Sequence, residues 1–259
     1  MRIKPYYEEP GIQIFLGDCR KILPHLPKVD LVLTDPPYGI SQPGVVHKGA
    51  PGKGSRSFDF FVNDTKDFVN QLVLEVLQLT IPLCSKSASA YWWVGHYTFG
   101  KLVDTYCKLG WETRFLVWMK TNSPPPPPGA GWPSAAELCV YAFRRGRTWN
   151  HDGVNYPHSN VLVSKMHGHG DPEKVKHPTQ KSLNVVIPLI TASCPVTGLV
   201  LDTFMGSGTT LVAAKQLGRK AIGIDIEKKY CDIAVERLRR ISKPLLVETK
   251  KYKHKSLLS

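Results

Sequence analysis

A short apolar run that stops at an acid, two prolines and an aromatic residue constrains this chain most strongly. It is the stretch 29–39, VDLVLTDPPYG. Residues 31–33 show no polar alternation, which is typical of a strand buried on both faces of a parallel sheet. The two prolines that follow cannot donate to a ladder, so the strand ends before them. It therefore delivers Asp35 and Tyr38 to its carboxyl end, the edge where open α/β sheets bind ligands.

The atoms at this strand end favour a bound amine. Asp35, when ionised, offers only acceptors, and Pro36 contributes a carbonyl but no N–H. Tyr38 adds a flat π face on which a planar group can stack. An exocyclic amine of a nucleobase donates two hydrogens but is a poor nucleophile, because its lone pair is delocalised into the ring. Two acceptors that draw on those hydrogens would restore electron density to the nitrogen.

A second apolar strand, in the stretch 199–210 (LVLDTFMGSGTT), runs into a glycine turn and then a predicted helix. Gly206 and Gly208 let backbone approach a ligand closely, and the start of the helix presents unpaired N–H groups. The spacings of a phosphate loop and of a dinucleotide fingerprint are both absent. A further strand over 220–225 ends in Asp225, where a carboxylate meets ribose hydroxyls in nucleotide-binding α/β folds. An incidental cap is the alternative for this acid.

These two motifs together resemble those of a known family. Asp35-Pro-Pro-Tyr38 resembles the catalytic motif of the DNA amino-methyltransferases, which methylate adenine N6 or cytosine N4. Phe204, Gly206, Ser207 and Gly208 form a pattern that resembles the S-adenosylmethionine loop of the same family. The catalytic strand precedes the cofactor loop, as in the β group of these enzymes.

The resemblance implies both a fold and a cofactor. The expected fold is α/β, the Rossmann-like fold of S-adenosylmethionine-dependent methyltransferases in a circularly ordered form. Its mostly parallel, seven-stranded sheet would carry helices on both faces. S-adenosylmethionine is the expected cofactor. Asp35 and the carbonyl of Pro36 would accept the hydrogens of the target amine, and Tyr38 would stack on the base.

Three further positions gain cofactor roles through the resemblance. Asp18, which ends an alternating segment over 12–18, resembles the part that accepts a hydrogen bond from the adenine amine of the cofactor. It would serve equally well as the N-cap of a helix over 20–26, and the two interpretations are compatible. His177 and Thr179 belong to a His-Pro-Thr-Gln-Lys segment that resembles the part packed against the methionine end of the cofactor.

The charge balance favours a polyanionic partner. The chain has 34 Lys and Arg against 21 Asp and Glu, a formal net charge of +13, so double-stranded DNA is the expected partner. Two basic clusters are predicted to contact it, one in a Gly-rich loop at about 40–65 and one at the end of a strand over 137–144. Their residues are Lys48, Lys53, Arg56, Arg144, Arg145 and Arg147. A surface loop without a partner is the alternative for 40–65.

Residues 145–176 show little periodicity and, by the resemblance, hold the target-recognition insertion. They are too few for an independent domain, so 1–259 is expected to form a single methyltransferase domain. Specificity would then come from short loops or from a second copy of the chain. The histidines here match no zinc spacing, so no metal site is predicted. The sequence shows neither an apolar run of membrane-spanning length nor a signal-peptide core, which favours a cytoplasmic location.

The predicted activity is S-adenosylmethionine-dependent methylation of adenine N6 in DNA, on a base extruded from the duplex. Family members that act on cytosine N4 more often carry Ser in place of the acid, so Asp35 favours adenine, with cytosine N4 as the alternative. A second alternative is a methyltransferase-like protein that binds DNA without catalysis. The sequence leaves open a homodimer and a cognate restriction endonuclease as partners.

Overall fold

Strands and helices alternate along most of the chain. The computed structural model describes residues 3–38, 65–123, 125, 132, 134–150, 159–167, 171, 173–177 and 179–241. The strands are β1 (Tyr7–Glu9), β2 (Ile12–Leu16), β3 (Val29–Thr34), β4 (Cys84–Val94), β5 (Glu112–Lys120), β6 (Ala136–Phe143), β7 (Val161–Ser164), β8 (Leu199–Asp202) and β9 (Lys220–Asp225). The helices are α1 (Cys19–Ile22), α2 (Lys66–Thr80), α3 (His96–Lys108), α4 (Leu183–Ser193), α5 (Thr209–Gln216) and α6 (Lys228–Arg239).

All of the strands in these ranges belong to one sheet, in the order β1-β2-β9-β8-β3-β4-β6-β5-β7. Neighbouring strands are parallel except in the pairs β1–β2, β4–β6 and β5–β6. The prediction of a mostly parallel sheet is confirmed, but the predicted number of seven strands is wrong, since the described residues form nine. The two additional strands, β1 and β7, lie at the margins of the sheet. They are three and four residues long, too short to show a periodic pattern.

The two motif strands are direct neighbours although they lie far apart in the sequence. Leu31 of β3 pairs with Val200 of β8 in a parallel register. Strand β9 pairs with the other side of β8, and β2 follows beyond it. Because parallel strands end at the same edge, the ends of β2, β9, β8 and β3 lie side by side. This edge is called the carboxyl edge below.

Helices cover both faces of the sheet, as predicted. The helices α4, α5 and α6 pack on the face to which Leu31, Leu33 and Trp93 point. The opposite face carries α1, α2 and α3, and receives Val32 and Trp92. Strands buried on both faces need apolar residues at every position, which explains the unbroken apolar run in β3. None of the helices in the described part of the chain combines the length and the apolar character that crossing a membrane requires.

Part of what the sequence predicts lies outside the described residues. The basic loop at 40–65, with Lys48, Lys53 and Arg56, falls there almost entirely. The insertion at 145–176 is described for 145–150, 159–167, 171 and 173–176. Within it, β7 pairs with β5 in a parallel register, so this interval contributes directly to the sheet.

The packing of β4 against α3 generates a prediction for stability. Trp92 is fully buried, and its Nε1 donates a hydrogen bond of 2.7 Å to the hydroxyl of Tyr106. Replacing Tyr106 by Phe leaves that buried donor unpaired, which should lower the free energy of unfolding by about 1–3 kcal/mol. Urea denaturation measures the loss. Tyr97→Phe, at an exposed position of the same helix, should change it by less than about 0.5 kcal/mol. Equal effects in both variants would contradict the argument.

Candidate active site at the carboxyl edge

Four neighbouring strands each present an aspartate at the carboxyl edge. Asp202 and Asp225 are the last residues of β8 and β9, Asp35 directly follows β3, and Asp18 lies two residues beyond β2. The register supports this alignment, because Asp225 is the partner of the last residue of β2. Three of these acids are predicted site residues, and the structure brings all three to one edge. Asp202 is an addition that the sequence analysis did not assign.

At the end of β3, Tyr38 folds back and contacts Asp35 through its hydroxyl. The hydroxyl of Tyr38 lies 2.9 Å from Asp35 Oδ1 and 3.0 Å from Glu137 Oε2, and its single proton serves one of them at a time. Pro36 between them is buried. The backbone of Tyr38 packs against Gly95, where an added Cβ would lie 3.1 Å from the Tyr38 carbonyl oxygen. The predicted catalytic residues therefore form one compact group at the end of β3.

A buried lysine completes this group. Lys181 Nζ lies 3.1 Å from Asp35 Oδ2, 2.5 Å from Glu137 Oε2 and 3.1 Å from the hydroxyl of Tyr38. An ammonium has three protons to donate, so these three acceptors match its full capacity. Lys120 pairs with the other oxygen of Glu137 at 2.6 Å. Two carboxylates thus face two ammonium groups, and the cluster is formally neutral. Neither lysine nor Glu137 is among the predicted site residues.

The two carboxylates of this cluster have pKa shifts of opposite sign. Burial raises the pKa of Asp35 above its ordinary value, Lys181 partly offsets that rise, and Glu137 adds to it. Burial also opposes ionisation of Glu137, but Lys181 and Lys120 outweigh it and lower the pKa of Glu137 to about 2. Glu137 is therefore ionised at neutral pH, whereas burial opposes the charged form of Asp35 and Lys181 favours it.

Asp225 joins the glycine loop to the start of α6. Its Oδ2 accepts a hydrogen bond of 2.9 Å from the amide of Gly206, and its Oδ1 accepts one of 2.8 Å from the amide of Glu227. Burial raises the pKa of Asp225 to about 6, against the effect of these two amides. The carboxylate still has acceptor capacity for further donors, since each oxygen can accept more than one hydrogen bond.

In the glycine loop, residues 204–208, the two glycine positions have no room for a side chain. Gly206 and Gly208 have φ angles of +50° and +77°, in the left-handed region that favours glycine. A Cβ on Gly206 would lie 2.8 Å from Nε2 of His177, and one on Gly208 would lie 2.6 Å from the Cβ of Ala234. The ring of His177 packs on Tyr230 in an edge contact, with 4.5 Å between centroids. Burial, helped by nearby cations, lowers the pKa of His177 to about 4, so the packed imidazole is neutral at pH 7.

A buried arginine of α6 fixes the rest of the loop. Nη1 of Arg237 lies 2.7 Å from the carbonyl oxygen of Ser207, 3.2 Å from its Oγ and 3.0 Å from Oγ1 of Thr209. On the other side, the amide of Phe204 donates to Oδ1 of Asp202 at 3.1 Å. The predicted loop residues Phe204 and Ser207 are thus held by contacts that their sequence motif does not reveal.

Asp18 and Thr179 are the remaining predicted cofactor residues. Asp18 is the N-cap of α1, with Oδ1 accepting from the amide of Arg20, and it also forms a bidentate ion pair with the Arg20 guanidinium. The N-cap prediction is confirmed, and contact with a cofactor stays a prediction. The described helix is shorter than predicted, because it continues as a 3-10 turn over Leu23–His25. Thr179 is exposed, in the same segment as His177.

The structure does not bring the predicted arginines to this edge. Strand β6 runs antiparallel to β4 and β5, so its end lies beside the start of β5, at the opposite edge of the sheet. There the guanidinium of Arg144 lies 4.4 Å from the ring centroid of Trp111, and that of Arg147 lies 3.9 Å from the ring centroid of Phe143. Arg145 is exposed beside them. A role of these residues in DNA binding stays a prediction.

The described ranges hold no cluster of three or more His, Cys, Asp or Glu residues suited to a metal ion. His167 instead lies with Nδ1 2.7 Å from Oδ2 of Asp171, and both residues belong to the insertion.

The fold and the carboxyl edge define a Rossmann-like methyltransferase, with an acceptor-rich strand end beside a glycine loop. A family model for N6/N4 methyltransferases, described as DNA methylase, matches residues 29–236, and the chain belongs to this family. It is 27% identical over 271 residues to the type II methyltransferase M2.MboI of Moraxella bovis, covering 96% of each chain. It is 29% identical over 259 residues to the type II methyltransferase M2.LlaDCHI of Lactococcus lactis subsp. cremoris, covering 92% of this chain and 93% of the relative.

Two solved methyltransferase structures are similar to the structure of this chain. The complex of M1.HpyAVI with SAM superposes with a TM-score of 0.66 at 25% identity, covering 88% of this chain and 98% of that one. The cytosine-N4-specific PvuII DNA methyltransferase superposes with a TM-score of 0.69, covering 93% and 98% of the two chains. At 16% identity the second likeness concerns the fold alone.

The contacts of Arg237 generate a prediction for the loop. Arg237→Met removes a charged donor from two oxygens of Ser207 and one of Thr209, so it should lower the free energy of unfolding by about 1.5–3 kcal/mol. Chemical denaturation measures the change. Arg239→Met, at an exposed position of the same helix, is the matched control and should lose less than about 0.5 kcal/mol. A stability of Arg237→Met equal to that of the control would show that the buried guanidinium does not hold the loop.

Proposed function

We propose that this DNA methylase transfers a methyl group from S-adenosylmethionine to the N6 amine of adenine in double-stranded DNA. The observation that carries the proposal is the end of β3, where the hydroxyl of Tyr38 contacts Asp35 and the neighbouring strand β8 leads into the glycine loop. A base in a duplex cannot reach a strand end of this kind, so the target adenine would be extruded first.

The residues at the carboxyl edge fit S-adenosylmethionine. When bound, it supplies a methyl group activated by a sulfonium. Asp225, which keeps spare acceptor capacity, would accept from the ribose hydroxyls, and Asp18 from the adenine amine. The backbone of the loop 204–208 would approach the cofactor closely, because glycines at its turns leave it without side chains there. His177 and Thr179 would line the methionine end. The SAM complex of M1.HpyAVI supports this cofactor.

The residues at the end of β3 would prepare the target amine. Asp35 and the carbonyl of Pro36 would accept its two hydrogens, which returns electron density to the nitrogen. Tyr38 would stack on the base with its ring, while its hydroxyl remains tied to the carboxylates behind it. These contacts strengthen as positive charge develops on the nitrogen, so they favour the transition state over the bound substrate.

Cytosine N4 is the second candidate target. Its amine presents the same two hydrogens to Asp35 and Pro36, so the acceptor geometry serves either base. The family resemblance of an acid at position 35 favours adenine. A protein that binds DNA without catalysis is the third candidate, and the intact set of acceptors around the strand end argues against it.

Further proposals concern the partners. Because the relatives are type II methyltransferases, we place the chain in a restriction–modification system, with a cognate restriction endonuclease as a functional partner. The net charge of +13 supports DNA as the substrate. Lys48, Lys53 and Arg56 are proposed contacts to DNA near the reacting base. The arginines at 144, 145 and 147 would touch DNA only away from that base, since they lie at the opposite edge of the sheet.

Substitution of Asp35 tests the proposed catalytic acid. Asp35→Ala should lower methyl transfer by at least about 100-fold, because it removes an acceptor that stabilises the transition state, while affinity for S-adenosylmethionine stays nearly unchanged. Tritiated methyl incorporation into duplex DNA gives the rate, and nucleoside digestion with mass spectrometry identifies the product. Asp104→Ala, at an exposed acid of α3, is the matched control and should retain activity.

The product decides among the three candidates. N6-methyladenine made by the wild type and lost in Asp35→Ala supports the proposal. N4-methylcytosine would establish the second candidate, and no methylated base from the folded, cofactor-bound wild type would leave the third. Full activity of Asp35→Ala would refute the proposed chemistry.

Substitution of Asp225 tests the proposed cofactor site. Asp225→Ala should weaken S-adenosylmethionine binding by about 1–3 kcal/mol, since hydroxyl donors would lose a charged acceptor. Isothermal titration calorimetry measures the affinity. Asp232→Ala, an exposed acid on the neighbouring helix α6, should bind like the wild type. Unchanged affinity in Asp225→Ala would remove this residue from the site.

A further inference from the structure

The surroundings of Lys181 are built to place one ammonium group. Its side chain is 8% exposed, and Nζ lies 4.7 Å from the ring centroid of the buried residue Trp93. A buried ammonium is costly unless it is paired, and Lys181 is paired with Asp35 and Glu137. The side chain therefore has one arrangement that satisfies all of its donors.

The backbone on both sides of Lys181 is fixed as well. Gln180, which is buried, accepts from the amide of Val175 at 2.9 Å and donates to the carbonyl oxygen of Glu173 at 2.9 Å. Ser182 is the N-cap of α4 and accepts from the amide of Asn184. Because its neighbours are held in this way, Lys181 is presented to the end of β3 from a rigid position.

Several charged or titratable groups face Asp35 from different elements. The cation is Lys181, which precedes α4, and Lys120 of β5 acts through Glu137. The acids are Glu137 of β6 and Asp202 of β8, the latter with a pKa raised to about 7 by burial and, in smaller part, by Asp35 itself. Tyr38 and Cys139 complete the set. Within this described surrounding, Lys181 is the cation that contacts Asp35 directly.

We propose that Lys181 is a positioning residue for methyl transfer: its ammonium, anchored by Glu137, pairs with Oδ2 of Asp35 and keeps that carboxylate charged and aimed at the target amine. This inference rests on the proposed function. Lys181 acts on the reaction through Asp35 and does not itself touch the base. Glu137 contributes by holding the ammonium between the two carboxylates.

The proposal fixes the sign of two pH effects. The carboxylate form of Asp35 is the one that offers only acceptors, so the rate should fall on the acidic side as Asp35 is protonated. Without Lys181, burial and the charge of Glu137 remain, so the carboxylate would persist only at higher pH. Without the charge of Glu137, Lys181 remains and a repelling neighbour is lost, so the carboxylate would persist to lower pH.

The experiment compares the pH dependence of kcat in Lys181→Met, Glu137→Gln, Lys181→Arg and the wild type, each with saturating S-adenosylmethionine and duplex DNA. The acidic limb should move up by about one pH unit or more in Lys181→Met and down in Glu137→Gln. Lys181→Arg keeps the cation, so its limb should stay near that of the wild type even where kcat falls. Lys86→Met, at an exposed lysine of β4, is the matched control and should match the wild type.

Calorimetry of S-adenosylmethionine with each variant completes the test, and the expected result is unchanged affinity. A uniform loss of kcat in Lys181→Met with an unmoved limb would overturn the proposal, as would a loss confined to cofactor affinity. If Lys181→Met does not fold, the double variant Lys181→Met/Glu137→Gln decides: its limb should lie at higher pH than that of Glu137→Gln, and coinciding limbs would overturn the proposal. A wild type that methylates neither base refutes the proposed function itself, whereas an active wild type with unmoved limbs refutes only this inference.

Discussion

The parallel ends of neighbouring strands bring four carboxylates to one edge, and the rest of the site depends on how their charge is compensated. Those residues are Asp18, Asp225, Asp202 and Asp35. Each is compensated differently: the first by the Arg20 guanidinium, the second by two backbone amides, the third by one amide and the hydroxyls of Thr34 and Thr210, the fourth by the ammonium of Lys181. For the third, these donors do not outweigh burial, which raises the pKa of Asp202 to about 7. The amides belong to the loop and helix starts that surround the glycine turn. For Asp225 and Asp202, compensation of the acid and shaping of the loop are therefore the same set of contacts.

The long elements of the fold could be predicted because their sequence patterns are local. An unbroken apolar run predicted β3, and the strand predicted over 220–225 is β9. Strands β1 and β7 could not be predicted, since strands of three and four residues carry too few positions to show a period. Their existence depends on pairing with neighbours, which a single sequence does not display. That is why seven strands were expected and nine are present.

The residues of the site also divide into those that a local sequence motif reveals and those that it does not. Asp35, Tyr38, Gly206 and Asp225 stand in motifs whose chemistry is legible within a few residues of sequence. Glu137 does not, because it reaches Tyr38 across 99 positions through the antiparallel direction of β6. That direction also carries the arginines at 144–147 to the far edge, although the sequence places them only a few residues later. One reversed strand therefore brings an unexpected acid to the site and removes the expected cations from it.

The segment 177–181 connects the two halves of the chemistry. At its start, His177 packs so closely on Gly206 that the glycine cannot carry a side chain. At its end, Lys181 pairs with Asp35. Gln180, buried between them, ties the segment to the preceding backbone. A methyl donor on the glycine loop and an amine at the end of β3 would thus lie near two residues, His177 and Lys181, that are close in sequence, and an error of about 1 Å in the separation of donor and amine is enough to slow a transfer by about 100-fold.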